Sequence, residues 1–461
     1  MAKRVKRTSF LRDIILLAVF LSLSVLAYKA IHKFNYNNIL ENSVLKGRTF
    51  TTEVVEITSP KGIKAYLLTD TTNPIIGISF LFKEAGYAYE DQRSKGVGIA
   101  TSSILKDGSA NYDSQNFKEL LEENAISLSF DAGLDVFEGE LTYLKDKQDI
   151  AVELLQKSLT SPHLRAKDIY RIAEEMAIAL KTQQERPESV LKLAFNEEVY
   201  GSHPYSFNPY GSMDSIKNIS AHNIRKFIKN NLTQDKLVVG IAGDITKEEA
   251  GIVIDKIFGN LPQTGAVQDI PVASVSFDGR EKHITKDIPQ NISMFISKGV
   301  CRNDKDFYPL FIANHILGGS QMQSRLFLLT RENEGLTYGA GSYLSINDKS
   351  CTIKGRFASS AENMPKMQEI IRSQWAKMKD KGVTAEEFES AKNYLISSYN
   401  LRFTSIDQIA SILAQMQYHD LGIDFLKKRN LLVQNVQIED VNHAASVYFS
   451  DKDLIFMNIG R

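Results

Sequence analysis

Eight histidines, two cysteines and a formal balance of 55 basic against 55 acidic side chains limit the chemistry open to this 461-residue chain. A helical zinc site needs two imidazoles four residues apart on one face. The histidines are His32, His163, His203, His222, His283, His315, His419 and His443, and even the closest pair, His203 and His222, lies far more than one turn apart. No helical histidine pair exists. Cys301 and Cys351 are too few for a thiolate zinc site and make at most one bridge, which depends on a Cα separation that sequence alone does not supply. Ser102 and Ser103 are adjacent hydroxyls, but nothing in the sequence sets a His or Asp beside them as a base. Glu174 and Glu175 are adjacent carboxylates without the nitrogen or sulfur donors that zinc favours, and they read as a salt-bridged, solvent-facing helix edge. Taken singly, His203 beside Pro204 reads as a structural or exposed turn residue. Gly318-Gly319 reads as a helix end, and Arg331 beside Glu332 and Glu334 as a solvated charge.

The elements that position these residues belong to a folded chain. Hydrophobic residues make up 43%, charged residues 24%, and only 11 prolines occur, a composition for two or three globular domains. Zero formal charge leaves no large counterion-release term, so no nucleic-acid partner is expected. The N-terminus carries Lys3, Arg4, Lys6, Arg7 and Arg12, then an apolar run from Ile14 to Tyr28 broken only by Ser22 and Ser24. That is an export signal, at the upper end of a signal-peptide core and short of the roughly 20 residues that span a bilayer. Val25 and Ala27 suit a cleavage site, whereas Lys29 and the polar stretch after it suit an uncleaved anchor. Residues 1–35 are therefore expected to be a signal peptide or membrane anchor that leaves the rest exported. In a bacterial chain this places the protein in the periplasm, held to the inner membrane by residues 14–28.

The remainder reads as one unit used twice. In the first half an extended apolar segment (76–82) leads to a small-residue helix (97–105), Gly108-Ser109, a second helix (117–123) and two alternating strands (126–131 and 136–144). The second half repeats that order with 292–300, the helix 308–317, Gly318-Gly319, the helix 324–330 and strands 338–345 and 351–358. Helices with apolar residues at i, i+3, i+4 and i+7 follow in both, and each half closes with a helix and a short strand. The stretch 259–280, with Pro262 and Pro271, reads as a linker. The expected fold class is α+β: two tandem homologous domains, 50–258 and 281–461, each a mostly antiparallel sheet with helices packed on one face, after an N-terminal hydrophobic helix.

Three local stretches carry a resemblance. His203-Pro204-Tyr205 is followed by Pro209 and Gly211; Leu317-Gly318-Gly319 is followed by Ser324-Arg325-Leu326-Phe327; and Arg331 to Tyr338 reads RENEGLTY. In this order and at this spacing they resemble the pitrilysin/insulinase-type (inverzincin) zinc metallopeptidases over roughly residues 50–461, in particular the bacterial two-domain branch. Active members carry H-x-x-E-H on a helix, two imidazoles binding zinc and the glutamate polarising its water. Setting Gly96 and Gly108-Ser109 on the matching ends of the family segment puts Ile99 and Ser103 where the histidines stand and Ser102 where the glutamate stands. The third ligand position falls at Ala179, with Glu174 and Glu175 close by. The metal site is thereby lost, and neither a catalytic residue nor a metal ligand is expected in this chain.

What the resemblance retains is the second-domain half of the chemistry. In the family, the arginine and tyrosine of the R…GL.Y motif reach substrate held by the zinc-bearing domain, and here these are Arg331 and Tyr338. A planar cation and a phenol suit hydrogen bonding to a peptide carbonyl and its developing oxyanion. Bacterial relatives often divide labour between a zinc-bearing chain and an Arg/Tyr-bearing one. The resemblance therefore implies a non-catalytic, substrate-contacting subunit of a heterodimeric zinc peptidase acting on peptides or unfolded segments. No cofactor is expected in this chain, and zinc is expected in an H-x-x-E-H partner. The alternatives are a structural or assembly protein, or a stand-alone peptide-binding protein without hydrolytic activity.

Overall fold

The computed structural model describes residues 53–461 apart from 110–111, 267 and 321. The apolar run 14–28 lies outside the described residues. Among the described residues no helix is long and apolar enough to cross a membrane.

The fold is α+β, built on two sheets. The first contains β1 (Val55–Thr58), β2 (Lys64–Thr69), β3 (Ile75–Phe82), β4 (Ser127–Ala132), β5 (Phe137–Leu144) and β6 (Leu237–Gly243), in the order β1-β2-β6-β3-β5-β4. The second contains β7 (Glu281–Thr285), β8 (Asn291–Lys298), β9 (Ala340–Asn347), β10 (Ser350–Ser359) and β11 (Ile455–Gly460), in the order β7-β11-β8-β10-β9. With β1 set aside the two orders are the same. In each, the last strand of the half inserts beside the first in parallel, β6 on β2 and β11 on β7, and the remaining pairs are antiparallel.

Alternation decides what each face meets, because successive side chains of a strand point to opposite sides. Ile76, Ile78, Phe80 and Phe82 of β3, with Val239 and Ile241 of β6, face a core shared with the helices Val97–Ile104, Gln148–Thr160 and Lys247–Phe258. Each such side chain removed from water contributes on the order of 1.5–3 kcal/mol. The intervening positions, Gly77, Leu81, Val238 and Gly240, face the other way.

That second face corrects the expectation of helices on one face only. Both sheets are covered on both sides, and the second cover comes from the other half of the chain. The helix Ile406–Tyr418 lies on the first sheet: Gly77 abuts Ile406, a Cβ on Gly240 would stand 2.1 Å from the Ala410 carbonyl oxygen, and the Gln417 Oε1 accepts from the Val239 N–H at 2.7 Å. Reciprocally, the helix Pro187–Tyr200 sets Leu191, Phe195 and Val199 in one cluster with Ile296, Ile455, Met457 and Ile459 of the second sheet. The physical reason lies in the central strands. Every residue of β6 and of β11 is buried, so each strand needs apolar cover on both faces, and the local pattern does not say where that cover originates. Pro187 serves the exchange directly: it cannot continue the preceding helix Ala166–Glu185, and at the first position of the next helix it starts a new direction.

The stretch 259–280 connects the sheets with no helix or strand among its described residues, and it is packed down. Ala273, Val275 and Phe277 lie against the cluster beneath the exchanged helix.

Candidate functional site

The helix Val97–Ile104 carries the positions that the resemblance sets on the zinc motif. It begins at Gly96, in the left-handed region at φ 89°, and the Glu90 carboxylate caps it by accepting from the N–H groups of Gly96 and Gly98, each at 2.6 Å. Burial pushes the Glu90 carboxyl up to about 8 although both bonds favour the charged form. Ile99 is half-buried against the core, and Ser103 is half-buried on the same helix. Ser102 is buried with its hydroxyl donating to the Ile99 carbonyl at 2.9 Å. Ala179 is half-buried on the helix Ala166–Glu185. Glu175 is held by Arg171 at 2.6 Å one turn away, and Arg171 also reaches the buried Asp107 just beyond the first helix. An ion pair therefore joins these two helices. An isoleucine, two serines and an alanine do not fit zinc, and among the described residues no group of three His, Cys, Asp or Glu is arranged to hold a metal ion.

Arg331 and Tyr338 stand in a different setting. From the helix Phe307–Asn314 the chain passes through two π-helical stretches, His315–Gly319 and Leu328–Asn333, before entering β9. Such stretches interrupt regular helix and re-aim side chains. Arg325, between them, is occupied structurally: it grips Glu387 with two bonds of 2.7 and 2.6 Å and donates to the Gly382 carbonyl. Arg331 is exposed. Its guanidinium lies 5.1 Å from the Phe327 ring centroid and donates to the Tyr338 carbonyl at 3.2 Å. Tyr338 is 80% exposed. The connecting turn, with Gly335 at φ 63°, is pinned to β10 by Thr337 donating to the Ala358 carbonyl at 2.6 Å and Ser359 donating to the Leu336 carbonyl at 2.5 Å.

Together Arg331, Tyr338 and Phe327 line a cavity of about 590 Å³ with Tyr343 of β9 and Arg356 of β10. Glu188 completes it from the first turn of the exchanged helix 187–200, so both halves of the chain build this wall. Sequence reasoning missed Arg356 and Glu188. The first was open to detection, because Arg356 falls on the parity of β10 opposite Ile353 and Phe357, which face the second-half core.

The remaining motif is structural. His203 meets the Pro271 carbonyl through Nε2 at 2.8 Å and accepts from the Tyr205 N–H through Nδ1. The buried Tyr205 hydroxyl donates to Asp135 at 2.6 Å and accepts from the Lys349 N–H, while Asp135 also accepts from the Asp348 N–H. Asp348 in turn accepts from the Tyr418 hydroxyl at 2.5 Å. This chain of bonds joins the first half to the β9–β10 turn and to the exchanged helix 406–418. Burial raises the Asp135 carboxyl to about 6. Cys301 and Cys351 are bridged, with Cα atoms 5.2 Å apart.

Residues 218–395 match the family model described as Peptidase M16 inactive domain. The chain is 23% identical over 382 residues to a Helicobacter pylori protein named non-peptidase homolog YmxG, covering 83% of this chain and 88% of that one. It is 22% identical over 395 residues to cytochrome b-c1 complex subunit 1 of Caenorhabditis elegans, covering 82% of each. A crystal structure of a peptidase M16 inactive domain from Pseudomonas fluorescens matches the fold with a TM-score of 0.82 at 23% identity, over 88% of this chain and 97% of that one.

Proposed function

The chain belongs to the pitrilysin/insulinase-type (M16) peptidase family and lacks its zinc motif, and we propose that it is the non-catalytic, substrate-contacting subunit of a heterodimeric zinc peptidase. The observation that carries this reading is the exposed pair Arg331 and Tyr338 at a cavity of about 590 Å³, on a turn held rigidly to β10. In this role the guanidinium and phenol donate hydrogen bonds to a peptide carbonyl and to the oxyanion that develops on it, while a partner chain with H-x-x-E-H supplies the zinc and the activated water. The guanidinium is preorganised by the Tyr338 carbonyl and the Phe327 ring. The substrates are peptides or unfolded segments, since a cavity of this size admits side chains and backbone but no folded domain.

The same reading makes the protein exported, periplasmic and tied to the membrane through residues 14–28. The Cys301–Cys351 bridge supports an oxidising compartment. A serine hydrolase is disfavoured because the Ser102 hydroxyl is committed to the Ile99 carbonyl. A second reading, a peptidase-like structural or assembly protein, is favoured by the similarity to a respiratory-complex subunit. Reconstitution separates the two. With an H-x-x-E-H chain from the same source, Arg331→Gln should abolish peptide turnover while the complex still assembles; unchanged turnover would refute the substrate-contact role and leave the assembly reading standing.

A further inference from the structure

The cavity beside Arg331 holds a second arginine, Arg356, that makes no ion pair among the described residues. Arg356 projects from β10 on the face covered by the exchanged helix 187–200. Its cross-strand partners are Gly341 on β9 and Met294 on β8, so no acid stands opposite it on either side. A Cβ on Gly341 would meet only the Gly318 carbonyl oxygen, at 3.0 Å, so the glycine keeps the space beside the guanidinium clear of side chains. Lys354, two residues earlier on the same face, is by contrast occupied, its ammonium lying 5.3 Å from the Tyr200 ring centroid. Among the described residues neither Arg331 nor Arg356 takes part in an ion pair. Among the described residues Glu188 is the one carboxylate in the cavity lining, against two guanidinium groups. The surrounding wall includes Ile292, Met322, Phe327 and Ala340, and apolar walls strengthen the field of an uncompensated charge.

We propose that this cavity selects acidic peptide segments, with Arg356 as the residue that reads an aspartate or glutamate side chain. The assignment rests on the reading that the cavity holds peptide. A guanidinium is suited to the task because its planar fork meets a carboxylate through two parallel bonds, a geometry that a peptide carbonyl or an amide side chain does not return. The division of labour is then spatial. Arg331 and Tyr338 address the backbone at the turn, and Arg356 addresses a side chain farther along the sheet face.

Two unstructured peptides, amidated at the C-terminus and identical except for a central Glu or Gln, test this by fluorescence anisotropy on the full-length chain. The wild type should bind the Glu peptide about tenfold more tightly, a difference that shrinks as salt is raised. In Arg356→Gln the ratio of the two affinities should fall to about one, and in Arg356→Glu a matching Lys peptide should become the preferred one. Equal wild-type affinity for the Glu and Gln peptides overturns the selectivity while leaving peptide binding intact. A Glu preference that survives Arg356→Gln overturns the assignment to Arg356. Binding of neither peptide by the wild type overturns the proposed function and this inference with it.

Discussion

The Arg331 guanidinium is tied to Tyr338 through that residue's main-chain carbonyl, at 3.2 Å, and not through its side chain. The phenol is thus left to solvent while the backbone keeps the two groups in register. Tyr338→Phe should therefore leave Arg331 in place and the thermal midpoint unmoved, because the side chain is 80% exposed. In the reconstituted complex it should lower kcat/KM by about 10²-fold, the effect of losing one oxyanion donor. Unaltered kinetics would remove Tyr338 from the substrate contacts.

The exchanged helix 406–418 approaches the first sheet closely only because Gly240 lacks a side chain, a Cβ there lying 2.1 Å from the Ala410 oxygen and 2.5 Å from the Ala414 nitrogen. Gly240→Ala should destabilise the protein by about 1–3 kcal/mol, as overpacking does. Gly251→Ala, in the helix Lys247–Phe258 with ordinary contacts of 3.6 Å, should instead stabilise by about 0.5–1 kcal/mol. Chemical denaturation of the two variants reads both signs.

Asp135 carries the pH dependence of the junction between the halves. Burial raises its carboxyl to about 6, above the roughly 3.9 of an unfolded chain, so between these values the native state holds the proton more tightly. Stability from this group is accordingly greatest below about 4 and declines as pH rises through 6, by on the order of 2–3 kcal/mol in total. Subtracting the stability-versus-pH curve of Asp135→Asn from that of the wild type should expose this fall. A difference curve that rises over the same window contradicts the placement of the carboxyl.

The Cys301–Cys351 bridge, spanning 50 residues, ties the loop after β8 to the start of β10. The exported protein should show no free thiol until reduced. The double variant Cys301→Ser with Cys351→Ser should lose about 2–4 kcal/mol of unfolding free energy. Thiol titration before and after denaturation checks the first point, and urea unfolding checks the second.

Patterns that are local in the chain were legible before the structure. The two-fold use of one unit, the strands 76–82 and 351–358 and the loss of the histidine pair all follow from residue periodicity or spacing. Features set by distant partners were not. Nothing near 187–200 or 406–418 announces that each helix will cover the other half's sheet, since an amphipathic stripe does not name its partner. The Asp135–Tyr205 bond spans 70 positions and was equally hidden, which left His203-Pro204-Tyr205 as a motif without a visible task. Arg331 and Tyr338 were singled out through resemblance alone, whereas Arg356 was overlooked although its strand parity separated it from the core.

The measurement that tests the central claim most directly is zinc content and peptidase activity of the purified chain, alone and then mixed with an H-x-x-E-H chain from the same source. The account predicts no stoichiometric zinc and no turnover alone, and turnover in the mixture that requires this chain. Stoichiometric zinc together with hydrolysis by the chain alone would contradict it, because Ile99, Ser102, Ser103 and Ala179 offer that metal no ligands.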